Sequence, residues 1–267
     1  MPPVLVIGSS NTDMVIRVPT LPAPGETVLG GEFQSFAGGK GANQAVAAAR
    51  AGASVEFLGA VGDDDLGIAA RAVLENEGIG TQYLDSVADT ASGVALIFVN
   101  DAGENCIGVA SGANACVTTD QIAQNSDAIS SAGILLMQLE TPMDAIAAAA
   151  RAAAEANVRA ILNPAPAAAL DDALFATLFC ITPNAGEATA LTGIDVQCAD
   201  SAATAATRLI ERGVDCAVIT LGGDGALVAD DSGITHIEAP AVPVTDTTGA
   251  GDTFNGVLAA MLNDGED

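Results

Sequence analysis

Short apolar runs alternating with helix-length, alanine-rich stretches constrain this chain more than any other feature. The runs over 4–7, 55–61, 134–139, 159–162, 180–182 and 217–221 are too short for helices. They are also too continuously apolar for strands with one wet face. Helical patterns lie over 42–51, 66–77, 143–156 and 199–212, and another opens at PNAGEATALTG. Strands buried on both faces and joined by helices predict a mainly parallel sheet with helices on both sides, an α/β fold in three layers, α-β-α. Two segments break the alternation. Residues 14–17 and 27–36 read as strands around the turn-rich PTLPAPGE, and 93–99 and 105–109 flank NDAGE as a hairpin. With no helices between them, the segments at about 12–36 and 93–109 predict one small antiparallel sheet, split in sequence, standing off the main one. The whole, 1–267, reads as a single α/β domain carrying that small sheet.

Composition narrows the partners. Hydrophobic residues make up 50% of the chain but aromatics only 3%, with no Trp, so the core must be built from Ala, Val, Leu and Ile. No apolar run approaches the ~20 residues of a membrane span. The start, MPPVLVIGSS, lacks the basic residues of a signal peptide and reads as a first strand. Cys106, Cys116, Cys180, Cys198 and Cys216 form no C-x-x-C pair. That argues against zinc and against a disulfide framework, and fits reduced thiols in a cytoplasm. Acidic residues outnumber basic ones 34 to 8, for a net charge of −26. Nucleic acid and anionic membrane surfaces, which need basic patches, are excluded as partners. An anionic nucleotide would also be repelled unless local dipoles and a cation offset the field. Lys40, inside GGKGAN, is the only lysine.

The chemistry concentrates in VTDTTGAGDTFNGVLAAM, 244–261. Gly249, Ala250 and Gly251 end an extended segment, and Phe254, Val257, Leu258 and Met261 follow at helical spacing. A glycine-rich turn that opens a helix presents free N–H groups and the positive end of the helix dipole, which suits a phosphate. Asp252 stands in that turn. It can complement the dipole, or it can take a proton from a hydroxyl while the N–H groups hold the developing charge. Ligands of open α/β sheets bind at the carboxyl ends of the strands. The polar residues expected at those ends are Asn11, Asp13, Gly39, Lys40, Asn43, Glu140, Asn163, Asn184, Glu187, Thr220, Gly222 and the 246–252 turn. The donors and acceptors among the first of these suit a ligand rich in hydroxyls. TLGGDG and TTGAGD are two glycine-rich turns that suit a polyphosphate. Neither fits the common P-loop or dinucleotide fingerprints.

These motifs carry a resemblance. AGGKGANQAVAAARAG (37–52) and DTTGAGDTFNG (246–256) look like the two signatures of the ribokinase-like carbohydrate kinases, the PfkB family. SSNTD, PAPGET, GVALIFVNDAGEN, LLMQLE, NPAPA, TPNAGEATALTG and ITLGGDGA lie between them in the family's order, so the likeness spans 4–262. It implies a ribokinase-like α/β fold with the small sheet as a lid, and ATP-dependent phosphorylation of a sugar's primary hydroxyl. LMQLE and SSNTD favour D-ribose, giving D-ribose 5-phosphate. The alternatives are a kinase for another sugar or nucleoside, such as deoxyribose or fructose, and a non-catalytic sugar-binding protein.

The resemblance also implies roles. Asp252 is the base, and Gly249, Ala250 and Gly251 form the anion hole. Asn11, Asp13, Gly39, Lys40, Gly41, Asn43 and Glu140 hold the sugar hydroxyls. Asn184, Thr220, Gly222, Gly225 and Gly251 contact ATP. Glu187 organises Mg²⁺ through water, and Asp246 and Thr248 supply part of a monovalent-cation site, for K⁺. The lid is expected to form the contact of a homodimer. Relatives continue past the signature helix into residues that complete the adenine pocket and the cation site, so by this likeness the chain is C-terminally short.

Overall fold

The strand Val4–Ile7 (β1) is fully buried. Val4 and Val6 face one apolar layer, and Leu5 and Ile7 face the other. That two-sided burial sets up three layers, and the computed structural model shows them over residues 1–244 and 247–266. After β1 the chain makes β2 (Asn11–Arg17), β3 (Phe33–Gly38), α1 (Lys40–Arg50), β4 (Val55–Gly62), α2 (Asp65–Asn76) and β5 (Gly80–Val87). A hairpin of β6 (Gly93–Val99) and β7 (Asn105–Ala110) follows, then two short helices, α3 (Thr119–Gln124) and α4 (Ser126–Ser131). Strands β8 (Ile134–Met137), β9 (Arg159–Leu162) and β10 (Cys180–Ile181) come next, with α5 (Met143–Glu155) and α6 (Asp172–Phe175) between them. The last part holds α7 (Ala185–Thr192), α8 (Ala199–Glu211), β11 (Cys216–Thr220), β12 (Ala226–Asp230), β13 (Gly233–Ile237) and α9 (Ala250–Asp264).

The main sheet has nine strands in the order β13-β12-β11-β10-β9-β8-β1-β4-β5. It is parallel from β11 to β5, and the β12–β13 hairpin closes one edge antiparallel. One face packs on α1, α2 and α9 through Ala42, Ala45, Ala48, Leu74, Ala259 and Ala260. The other packs on α3 to α8. Small alanine faces let these helices lie close to the sheet, which is how a core with few aromatics still fills. Helices α1 and α9 lie against each other at Gly256, where an added Cβ would stand 2.3 Å from the Gln44 carbonyl oxygen.

The small sheet has four strands, β3-β2-β6-β7. Its two outer pairs are antiparallel and its central pair, β2–β6, is parallel, because both strands leave the main sheet in the same direction. The strand expected over 27–36 begins only at Phe33. Gly31 N–H donates to the Arg17 carbonyl while Arg17 N–H donates to the Glu32 carbonyl, so two residues face one and the regular ladder stops short of Glu32. Strand β5 and helices α3 and α4 lie outside the sequence-based expectations. Among the described residues, no helix is long and apolar enough to cross a membrane.

Candidate active site

The chain leaves β1 for β4 and β5 on one side and later returns to place β8 on the other. This is a topological switch point, where the carboxyl ends of adjacent strands open a crevice. The chain passes from β1 to β2 under the start of α1 at close range. A Cβ on Gly41 would lie 2.6 Å from the Ser9 nitrogen, and one on Gly39, where φ is +90°, would lie 2.7 Å from the Asn11 nitrogen. Glycine is required at both places by backbone approach. The same approach aims the N-terminus of α1 at the crevice.

Glu140, just past β8, accepts from the Lys40 N–H at 3.0 Å and from Ser9 Oγ at 2.5 Å. Its charge thereby complements the α1 dipole. Asn11 is buried, and its Oδ1 accepts from Asn114 Nδ2 at 2.7 Å, which leaves its own amide N–H₂ as the group to offer a ligand. Asp13, on β2, lies against Gly38, where an added Cβ would fall 2.4 Å from the carboxylate. Burial, then the charges of Glu140 and Asp252, push the Asp13 carboxyl above its ordinary range. Three carboxylates therefore converge on one crevice under the small sheet.

Asp252 sits in the first turn of α9, 8% exposed. Its Oδ2 accepts from Asn43 Nδ2 and its Oδ1 from Gln44 Nε2, each at 3.0 Å. The turn before it is held by Gly249 at φ +70° and by the Ala250 N–H, which donates to the Thr247 carbonyl at 3.1 Å. Asn255 donates to the Gly251 carbonyl at 2.8 Å, and its Oδ1 accepts from Thr182 Oγ at 2.5 Å. Thr248 lies exposed in this turn. Asp246 lies outside the described residues.

Along α9, between Phe254 and Leu258 of that helix and Cys180, Val218 and Val228 of the sheet, lies a cleft of about 1440 Å³ that includes Thr220, Gly222, Gly225, Ala250 and Gly251 in its lining. Asn184 pairs with Thr220 beside it. Gly225 is fixed by its backbone, since a Cβ there would fall 1.9 Å from the Ile237 carbonyl oxygen. Asn184 and Glu187 cap α7 reciprocally: each side chain accepts from the other's N–H at 2.9 Å. Burial raises the Glu187 carboxyl; the Asn184 N–H it accepts from opposes the rise, as does Lys40, and the Asp252 charge adds to it. Among the described residues, no group of three or more His, Cys, Asp or Glu could hold a metal ion.

Residues that the sequence reading passed over complete the site. Ser9, Gln44, Asn114, Gln138, Thr182 and Asn255 bind the named residues or each other. Only their position beside a predicted strand end or within the two signatures could have singled them out.

A buried carboxylate in the first turn of a long helix, with carboxylates and amides on one side and an open cleft on the other, suits a class: enzymes that pass an anionic group to a hydroxyl. Comparison with known proteins makes the class specific. The model for the pfkB family carbohydrate kinases matches residues 1–267. A ribokinase from Haemophilus influenzae is 43% identical over 257 residues, which make up 96% of this chain and 84% of that protein. A deoxyribokinase from Salmonella typhi is 35% identical over 257 residues, again 96% of this chain and 84% of that protein. The structure of Arabidopsis thaliana ribokinase complexed with ribose and ATP matches with a TM-score of 0.94 at 30% identity, covering 100% of this chain and 87% of that one. The chain belongs to the pfkB family of carbohydrate kinases, and its fold is the ribokinase-like α/β fold.

Proposed function

We propose that this chain transfers the γ-phosphoryl group of ATP to the primary hydroxyl of D-ribose, giving D-ribose 5-phosphate. The observation that carries the reading is Asp252: a nearly buried carboxylate, held by two amide donors, in the first turn of the helix that a phosphate would approach. Ribose and ATP, present in the structure of the Arabidopsis protein, suit the two ends of the crevice here.

The sugar lies against Asn11, Asp13, Gly39, Lys40, Gly41, Asn43 and Glu140, under the lid. Asp13 and Glu140 accept from hydroxyls, Asn11 and Asn43 donate, and the two glycines let the ring approach the backbone. ATP enters the wide cleft along Asn184, Thr220, Gly222, Gly225 and Gly251. Asp252 takes the proton from the primary hydroxyl as that oxygen attacks the γ-phosphorus, and ADP leaves. The turn of Gly249, Ala250 and Gly251 faces the transferring group with the positive end of α9. The Ala250 N–H joins it by exchanging the Thr247 carbonyl for a phosphoryl oxygen.

ATP-dependent kinases of this kind work with Mg²⁺, which is carried largely by the nucleotide phosphates. Glu187 fits a water-mediated role toward it. One of its carboxylate oxygens serves the α7 cap, and burial beside Asp252 favours a nearby cation. Bound there, the ion would neutralise charge on the phosphates. Asp246 and Thr248 are the proposed protein ligands of a K⁺ ion behind the anion hole.

The lid is also the proposed dimer contact. Phe33 and Leu96, 62% and 53% exposed, share its face turned away from Asp13. ATP as co-substrate and five free thiols support work in the cytoplasm.

Replacing Asp252 with Asn tests the reading. Ribose binding should persist, while turnover falls by the ~10²–10⁴-fold that a positioned base contributes. Turnover within a few-fold of the parent would remove Asp252 from the role. The same assay run with deoxyribose separates the reading suggested by the Salmonella relative.

A further inference from the structure

Behind Asp252 lies a chain of buried amides that the proposed reaction does not yet use. Gln44, on α1, is fully buried, and its Nε2 donates at 3.0 Å both to Asp252 Oδ1 and to Asn163 Oδ1. Its Oε1 accepts from Gln138 Nε2 at 2.7 Å. Gln138, at the end of β8, is also fully buried. Its own Oε1 has no hydrogen-bond partner and lies against Gly8, where an added Cβ would stand 2.1 Å away. Asn163, accepting through Oδ1, donates from Nδ2 to the Thr182 carbonyl at 3.0 Å.

The direction of this chain follows from one end. A carboxylate that must receive a proton is ionised and can only accept. Gln44 therefore has to turn its nitrogen to Asp252 and its oxygen to Gln138. Gln138 must then turn its nitrogen to Gln44, and its oxygen is left against Gly8 with no donor. Buried polar atoms without partners are rare because each forfeits its hydration. The unpaired oxygen thus marks a constraint imposed on Gln44 by Asp252, two side chains away, and imposed in the same sense by the Thr182 carbonyl through Asn163.

We infer that Gln44, itself oriented by Gln138, is the positioning residue for the Asp252 carboxylate. It anchors the buried Oδ1 and leaves Oδ2, on the side of half-buried Asn43, as the oxygen that meets the sugar hydroxyl. Gln44 touches neither sugar nor nucleotide in this account. It acts by fixing the angle of the base, and a misplacement of ~1 Å at such a point is enough to cost ~10²-fold in rate. The inference rests on Asp252 being the base.

Steady-state kinetics with ribose and ATP, over a range of pH and alongside thermal melts, test it on the full chain. Asp252→Asn is measured first. Gln44→Met removes the donor, and its kcat should fall by ~10²-fold while both KM values stay within about three-fold of the parent. Gln44→Glu puts a second carboxylate against the first. The two must then share a proton, so the acidic limb of the kcat profile should move up by at least ~1 pH unit. Gln138→Met exchanges one unpaired oxygen for another, on Gln44. It should melt within a few degrees of the parent yet lose kcat, and it carries the test if the Gln44 variants fail to fold. Full kcat and an unmoved acidic limb in the folded variants would overturn the inference while leaving Asp252 in place. If Asp252→Asn itself turns over normally, or the parent shows no ribose-dependent ATP turnover, the underlying reading fails and takes the inference with it.

Discussion

Gly256→Ala should cripple turnover from a position that touches no ligand. Gly256 lies on α9, one turn past Asp252, where α9 meets α1. A Cβ added there would stand 2.3 Å from the Gln44 carbonyl oxygen, 2.6 Å from Ala47 Cβ and 2.8 Å from the Ala48 nitrogen. All three belong to α1, and two are backbone atoms, so no rotamer change relieves the contact. Restoring ordinary contact requires the helices to part by about 1 Å. The bonds from Asn43 and Gln44 to Asp252, now 3.0 Å each, cross that same boundary and would stretch toward 4 Å, beyond hydrogen-bonding range. Overpacking of this kind costs about 1–3 kcal/mol, partly offset by the ~1 kcal/mol that Ala gains over Gly in a helix. The melting temperature should therefore drop by only a few degrees. Turnover should fall by ~10²-fold because the base is displaced. Spectrophotometric ADP release with ribose, paired with a thermal melt, reads both quantities. A variant with parental kcat would show that the α1–α9 contact does not set the position of Asp252, and the reasoning would be refuted.

Other outcomes follow from the same geometry. Asp13 has a raised folded pKa, so the sugar site should lose an ionised acceptor on acidification at a pH above the ordinary 3.8. Calorimetric ribose affinity should fall across that window, and an Asp13→Asn variant with the same pH dependence would place its origin elsewhere. Asp13 and Glu187 are both raised, so their contribution to stability is present below the ordinary carboxylate range and lost as pH rises through the raised values. The ligand-free protein should accordingly melt higher near pH 5 than near pH 7.5, and the opposite order would contradict the shifts. For the proposed lid-mediated dimer, Leu96→Asp with Phe98→Asp should leave a monomer in light scattering; a mass that stayed dimeric would move the contact off the lid, and a monomeric parent would remove it. The net charge of −26 contrasts with three ion pairs among the described residues, so self-repulsion is largely uncompensated. Screening falls from a Debye length of ~10 Å at 0.1 M salt to ~3 Å at 1 M, and the melting temperature should rise with KCl over that range.

The layers were legible because β1, β8, β9 and β11 are apolar on both faces, a pattern that only a covered parallel sheet satisfies. β5 was not, since GTQYLDSV is an edge strand, half-buried or exposed at all but Leu84, with no continuous apolar run. Helices α3 and α4 are six residues each, too short for a helical period to show. The small sheet was read from its helix-free segments, but the parallel pairing of β2 with β6 depends on where both strands leave the main sheet, a three-dimensional fact. At the site, glycines and charged residues in the two signatures stood out. Gln44 and Gln138 did not: each sits inside an apolar stretch and looks like an ordinary interruption until the carboxylate they serve is in view. Glu187 and Glu140 show the reverse case. Each was read as a ligand group, and each also caps a helix, so their structural and chemical uses coincide.

The central claim is that Asp252 delivers the primary hydroxyl of ribose to the γ-phosphate of ATP. The most direct measurement is the identity of the product when the chain is incubated with ATP, Mg²⁺ and ribose, read by phosphorus–proton correlation NMR, with Asp252→Asn in parallel. The account predicts phosphorus coupled to the two C5 protons of the sugar, formed one-for-one with ADP, and almost none with the variant. Phosphate on another carbon, ADP formed without sugar phosphate, or equal product from Asp252→Asn would contradict it.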